Sequence, residues 1–402
     1  MPRKTKLLFV LNSLVCGGAE KSLISLLQVL DESKYEVDLL LLRHQGIFMD
    51  QIPPYVRLLK EPRNYQLFDM PIRSALRRCV SQGRPGLALA RVQAGRLFRR
   101  EGNPGVREQR LWTYAGQALE KLPGEYDAAI GFMENAPLYY VIEKTKAARK
   151  IGFIHNDYDH LGGDPAFDEP YFERLDALVT VSDKCGDILR ERFPKLSGKV
   201  RVIHNVVSPA LIRTLSEEAA DWGGTGQREI KLLTIGRLTR QKGLDYALAA
   251  CRLLIERYPG LCWYVAGEGE ERAALEAEIA GSGLQKHFIL LGLRANPYPY
   301  MREADIYVQP SRFEGKSIAI DEAKILGKPI VVTDFPTAAD QIRDGVNGRI
   351  VAMNAAALAE GIVELLEYPE RARRFREHLG SEELGTESEI QKLMQLIEAH
   401  TA

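Results

Sequence analysis

Long apolar runs are absent from the 402-residue sequence. None approaches the roughly 20 residues that a membrane-crossing helix requires. Residues 1–6 have the basic character of a signal peptide, but the apolar run at 7–11 is short and leads straight into Asn12 and Ser13, so a soluble or membrane-peripheral protein is expected. Cysteine is scarce and scattered. Cys16, Cys79, Cys185, Cys251 and Cys262 form neither a Cys-x-x-Cys pair nor a Cys/His cluster at zinc spacing, which fits reduced thiols in a cytoplasmic protein. Net charge is missing as well: 54 Lys and Arg balance 54 Asp and Glu. A surface built to hold nucleic acid carries a basic excess, so nucleic acid is not an expected partner. What is present is 45% hydrophobic residues and no low-complexity tract, enough for a large core and, at about 150 residues per domain, for two domains.

Along the chain, apolar β-rich runs alternate with helical spacing, the pattern of parallel sheets covered by helices. Strands are expected at 6–11, 36–42, 127–132, 150–154, 177–181 and 200–203, with a helix at 19–30. A second series follows: strands at 230–235, 261–266, 287–291, 305–309 and 328–333, and helices at 244–258, 272–280 and 318–326. Residues 217–228 read as a linker and 387–400 as a terminal helix. The neutral total hides an uneven distribution. Between Lys60 and Arg110 there are twelve Lys and Arg against four acids, a net of +8, which leaves the rest of the chain at −8. Leu87, Ala90, Ala94 and Leu97 recur there at helical spacing while Arg91, Arg96, Arg99 and Arg100 fall elsewhere around the helix. This predicts a basic amphipathic helix, either an ordinary solvated face or a surface for an anionic membrane.

Three segments carry residues suited to phosphate chemistry. Cys16-Gly17-Gly18-Ala19-Glu20-Lys21 follows a strand and opens a helix, whose N-terminus offers free N–H groups to an anion; a tight turn explains it equally well, and the dinucleotide spacing Gly-x-Gly-x-x-Gly is absent. In Gly236-Arg237-Leu238-Thr239-Arg240-Gln241-Lys242-Gly243, a planar guanidinium and a compact ammonium flank one short loop, as neutralising a diphosphate requires. Glu314-Gly315-Lys316-Ser317 is not a nucleotide P-loop, because Pro310 stands where that motif needs its first glycine. Glu314 is expected in a loop and Glu322 about two turns into the following helix, with backbone N–H groups of Lys316 to Ile318 between them.

Gly17-Gly18, Gly236-Arg237 with Lys242-Gly243, Gly267-Glu268-Gly269, Leu291-Gly292 and Glu314 with Glu322-Ala323 together resemble glycosyltransferase family 4, the retaining enzymes of GT-B fold. The resemblance covers nearly the whole chain and is strongest from 230 to 351. It implies an α/β protein with two Rossmann-like doubly wound domains facing across a cleft: residues 1–207 for the acceptor, with a basic helical insertion at 60–115, residues 208–385 for the nucleotide sugar, and a helix at 386–402 that crosses back. It also implies site residues. Arg237 and Lys242 bind the donor diphosphate, Glu314 holds hydroxyls of the transferred sugar, and His155 sits near the donor sugar and the attacking hydroxyl; these four are the catalytic candidates. Glu322 accepts from the ribose. Gly236, Gly315, Lys316, Ser317 and Ile318 line the donor, the backbone near Arg294 meets the base, and Gly17 and Gly18 close over the phosphates. Two departures stand out: Lys316-Ser317 replaces Phe-Gly, and His204-Asn205-Val206-Val207 replaces the interdomain Pro-Asn-Gly-Val.

The implied activity is transfer of a hexosyl or N-acetylhexosaminyl group from a nucleoside diphosphate sugar, UDP-sugar favoured, to a sugar hydroxyl. The acceptor is a polyprenyl-linked or other lipid-linked glycan or a polysaccharide, as in bacterial cell-surface glycan synthesis. The enzyme would work in the cytoplasm, at the inner face of the plasma membrane. No cofactor is expected. Asp157-Tyr158-Asp159 has the spacing of a metal-dependent transferase, but cationic side chains and a helix end already serve the anion. The alternatives are a GT-B sugar-nucleotide epimerase, which converts the donor without an acceptor, and a catalytically silent nucleotide-sugar-binding protein.

Overall fold

The computed structural model describes residues 3–15, 17–222 and 230–398. Cys16 and residues 223–228 of the expected 217–228 linker lie outside them. The chain divides into two compact units. Met1–Val15, Leu23–His204 and Glu389–Ala402 form the first; Cys16–Ser22 and Asn205–Ser388 form the second.

The first unit is built on seven strands: β1 Thr5–Leu11, β2 Tyr35–Leu41, β3 Arg57–Leu58, β4 Glu125–Gly131, β5 Lys146–Ile154, β6 Ala177–Thr180 and β7 Val200–Val202. They pair in parallel in the order β3-β2-β1-β4-β5-β6-β7. The second unit holds six: β8 Ile230–Ile235, β9 Leu261–Ala266, β10 Phe288–Gly292, β11 Ile306–Gln309, β12 Ile330–Thr333 and β13 Arg349–Val351. They too are all parallel, in the order β10-β9-β8-β11-β12-β13. In each sheet the chain winds outward one way and then returns to wind the other. The order reverses between β1 and β4 and between β8 and β11.

Burial explains the continuous apolar runs. In β9, Trp263 and Val265 enter one core with Leu232 and Val308, while Cys262 and Tyr264 enter the opposite core with Leu233 and Tyr307. Alternate side chains thus bury on both faces, and the sequence shows no polar face. The crossover helix Leu244–Arg257 turns Leu244, Ala247, Leu248, Cys251 and Leu254 inward, one stripe at helical spacing.

The twelve-cation segment forms three helices, Ile72–Ser81, Pro85–Arg100 and Pro104–Ala115, around a small core that includes Ala75, Cys79, Ala90 and Ala94. The apolar stripe of the middle helix lies where expected. Arg91 differs: it is buried, donating to the carbonyls of Leu67 and Met70 at 2.8 and 2.7 Å, and so ties two elements together rather than facing solvent. The terminal helix Glu389–Glu398 packs in the first unit, where Leu393 and Ile397 are buried and Glu389 accepts from the His204 N–H at 2.9 Å. Among the described residues no helix is long and apolar enough to cross a membrane.

Candidate functional site

Ligands of open parallel sheets sit beyond the carboxyl ends of the strands where the order reverses, because the connecting loops part there. In the second unit this singles out the loops after β8 and β11. Beyond β8 run Gly236, Arg237 and a single 3-10 turn, Arg240–Lys242. Gly243 ends that turn at φ +62°, and a Cβ there would strike the Pro310 carbonyl beyond β11, so the two loops meet only because the residue is glycine. Gly267, beyond β9, packs its bare Cα against the Gly236 carbonyl in the same way.

Glu314 lies at the centre of this meeting and is 6% exposed. Its Oε1 accepts from Lys242 Nζ at 2.6 Å, Ser311 Oγ at 2.6 Å and Gln309 Nε2 at 3.0 Å. Its carbonyl accepts from Thr337 Oγ1 at 3.0 Å. Lys242 and Glu314 are therefore one ion pair, held from below by the buried side chains of Gln309 and Ser311. Arg237 is exposed and has no side-chain partner among the described residues. It is a cation left over at a sheet edge where its neighbour is already neutralised.

Glu322 projects from the helix Ile318–Ile325 and is 2% exposed. It accepts from the Tyr298 hydroxyl at 3.0 Å and pairs with Lys21 Nζ at 2.5 Å. The Lys21 ammonium also lies 4.2 Å from the centre of the Tyr298 ring. Burial, and then the Glu322 charge, push the Tyr298 hydroxyl well above the usual phenol range, so it stays a neutral donor. Tyr307 is raised by burial and by both carboxylates.

The other expected donor residues fall around the same edge. Gly315 is buried, and Lys316 lies 3.9 Å from Asp321. The Ser317 N–H donates to Gln341 Oε1 at 2.8 Å, and Gln341 Nε2 returns a bond to the Ser317 carbonyl, so this N–H is occupied by a side chain. Ile318 is buried beside Gly18, which opens the helix Gly18–Val29; Gly17 precedes it. Arg294 donates to the Tyr300 hydroxyl at 2.9 Å.

His155 belongs to the first unit, just past β5, and is 8% exposed. Its ring stacks near Phe132 and Phe153, with centroids 5.0 and 5.7 Å away. Its main-chain N–H donates to Glu134 at 3.1 Å, and the Asn156 amide donates to the other oxygen of that carboxylate at 2.7 Å. Glu134, in the turn that follows β4, was not among the sequence candidates. Its only signal is position in a loop after a strand, because its partners, the His155 N–H and the Asn156 amide, come from the loop after β5. The Asp-x-Asp carboxylates have local duties: Asp157 accepts from the Asp159 N–H as a helix cap, and Asp159 accepts from Arg192. Among the described residues no three His, Cys, Asp or Glu side chains gather closely enough to hold a metal ion.

Comparison with known proteins bears on this geometry. Residues 217–379 match the model of a family described as glycosyl transferases group 1. Over 315 residues the chain is 25% identical to the glycogen synthase of Mycobacterium tuberculosis, covering 74% of this chain and 69% of that one. It is 26% identical over 209 residues to the alpha-D-kanosaminyltransferase of Streptomyces kanamyceticus, 50% of this chain and 54% of the other. An uncharacterized glycosyltransferase of Methanocaldococcus jannaschii is 26% identical over 174 residues, 43% of each chain. The matches thus span from under half to about two thirds of these relatives. Among solved structures, Anabaena HepE in complex with UDP and glucose superposes with a TM-score of 0.68 at 16% identity, covering 98% of this chain and all of that one. A Staphylococcus aureus TarM mutant in complex with fondaparinux, alpha-GlcNAc-glycerol and UDP gives 0.55 at 21% identity, over 67% of this chain and 55% of its own. The chain therefore has the GT-B fold, and its second unit carries the match to group 1 glycosyl transferases.

Proposed function

We propose that this chain is a retaining glycosyltransferase that moves a hexosyl or N-acetylhexosaminyl group from a UDP-sugar to a sugar hydroxyl of a lipid-linked or polysaccharide acceptor. The observation that carries the reading is the Lys242–Glu314 pair beside the exposed Arg237 at the β8/β11 reversal. One carboxylate positioned by three donors suits sugar hydroxyls, and two cations on one loop suit a diphosphate. The names of similar proteins support the class, and UDP in the HepE and TarM complexes supports the nucleotide.

In this mechanism the bond from the anomeric carbon to the diphosphate oxygen breaks first. Arg237 and Lys242 stabilise the departing charge while an oxocarbenium-like sugar forms. The acceptor hydroxyl adds to the same face, and its proton passes to the leaving phosphate oxygen. Glu314 orients the sugar, Glu322 accepts from the ribose, and His155, steadied through Glu134, serves the acceptor side. The charge is met by side chains, and no metal is invoked. Asp157 and Asp159 are engaged elsewhere. A thermal-shift screen of UDP-, GDP- and ADP-sugars tests the reading: UDP-sugars are expected to raise Tm, in EDTA as well as without it.

We further propose that the basic helices of the first unit rest on an anionic membrane. Arg73, Arg77, Arg78, Arg96, Arg99 and Arg100 are exposed there, interspersed with the exposed apolar side chains of Val80, Leu89 and Phe98. Each Lys or Arg near such a surface contributes about 1 kcal/mol. Binding to anionic liposomes should weaken with salt and on changing Arg96, Arg99 and Arg100 to Glu. Equal binding to neutral and anionic vesicles would remove the idea.

A further inference from the structure

Lys21 is an unexpected resident of the proposed donor site. It was noticed in the sequence only as the end of a Gly-Gly turn, yet its ammonium lies 2.5 Å from Glu322 Oε1 and over the Tyr298 ring. The side chains of Lys21 and Glu322 are 18% and 2% exposed, so the pair is largely shielded from water. A carboxylate this buried needs partners, and they are the Tyr298 hydroxyl and, for its charge, Lys21. A ribose that donates its hydroxyls to Glu322 must bind a carboxylate whose charge is already met by Lys21.

We infer that Lys21 competes with the nucleotide ribose for Glu322, so that donor binding exchanges a buried ion pair for ribose hydrogen bonds. The inference rests on the assignment of Glu322 to the ribose. Its consequence is a built-in threshold: the ribose must displace an ion pair, and apparent affinity falls by the fraction of protein in which the pair is already open. Ligands without ribose hydroxyls gain nothing from Glu322 and leave the pair closed. Lys21 is thus a positioning and specificity residue.

The test compares UDP with 2′,3′-dideoxy-UDP by calorimetry. The two share base and diphosphate, so the ratio of their Kd values isolates the ribose hydroxyls and cancels any contact of Lys21 with phosphate. In Lys21→Met and Lys21→Gln this ratio is expected to rise at least threefold above the wild-type ratio, because Glu322 is then free to accept. The glutamine variant keeps a polar side chain beside Glu322 should methionine disturb folding. In Glu322→Gln the wild-type preference for the ribose hydroxyls should fall toward unity. A ratio unchanged or lowered in both Lys21 variants, with the Glu322→Gln collapse observed, overturns the competition and leaves the ribose assignment standing. No collapse in Glu322→Gln, or no UDP binding by the wild type, overturns the assignment and the competition with it.

Discussion

Arg237→Ala is expected to lower kcat by about 10²–10³-fold, as loss of one contact to a developing charge does in other active sites. Folding stability should stay within about 0.5 kcal/mol of wild type, the usual range for an exposed side chain with no partner. Both expectations follow from one fact: Arg237 is exposed and engages no side chain among the described residues. Steady-state turnover and urea denaturation of the same preparation check the pair of outcomes, and near-normal turnover would remove Arg237 from the mechanism.

Lys242→Ala should cost turnover on the same scale, about 10²–10³-fold, but with a different signature. Lys242 is the counter-ion of a carboxylate that is 6% exposed, so its removal leaves the charge buried against the neutral donors Gln309, Ser311 and Gln241. The fold should lose about 2–3 kcal/mol, since an uncompensated buried charge is the expensive half of a broken pair. The double variant Lys242→Ala with Glu314→Gln removes that charge. It should recover most of the stability and none of the turnover. Recovery of activity in the double variant would mean that Lys242 serves only to neutralise Glu314. The sequence suggested equal roles for the two cations; in the structure Lys242 is paired with Glu314, whereas Arg237 has no side-chain partner among the described residues.

How much could be read from the sequence depends on how local the cause is. β8 and β9 were legible to the residue because strands buried on both faces are continuous apolar runs with polar or glycine ends. β3, only two residues long, was not expected, because so short a strand exists through pairing with β2 rather than through its own pattern. The helices Ala355–Glu367 and Pro369–Ser381 also escaped the reading, although Leu358, Ile362 and Leu365 follow helical spacing. In the site, residues that sit on loops after strands could be named from motif and spacing: Arg237, Lys242, Glu314. Their partners could not. Gln309 and Ser311 beneath Glu314, Gln341 on the Ser317 N–H, Glu134 under His155 and Lys21 on Glu322 are set by tertiary approach, which no short pattern encodes. The composition was informative in a similar partial way. A balanced total concealed a basic helical layer, and even there Arg91 turned out to be a buried tie.

The carboxyl end of the second sheet, at the β8/β11 reversal, is the proposed seat of a nucleoside diphosphate sugar. A ligand that binds only the folded chain stabilises it by about 2.7 kcal/mol at a hundredfold excess over its Kd, so Tm reports binding without knowledge of the acceptor. The direct measurement is Tm of the wild type and of Arg237→Ala against UDP-, GDP- and ADP-sugars. UDP-sugars should raise the wild-type Tm by several degrees and the variant's by clearly less. A wild-type Tm that none of the three series moves at millimolar concentration would rule out a donor site there.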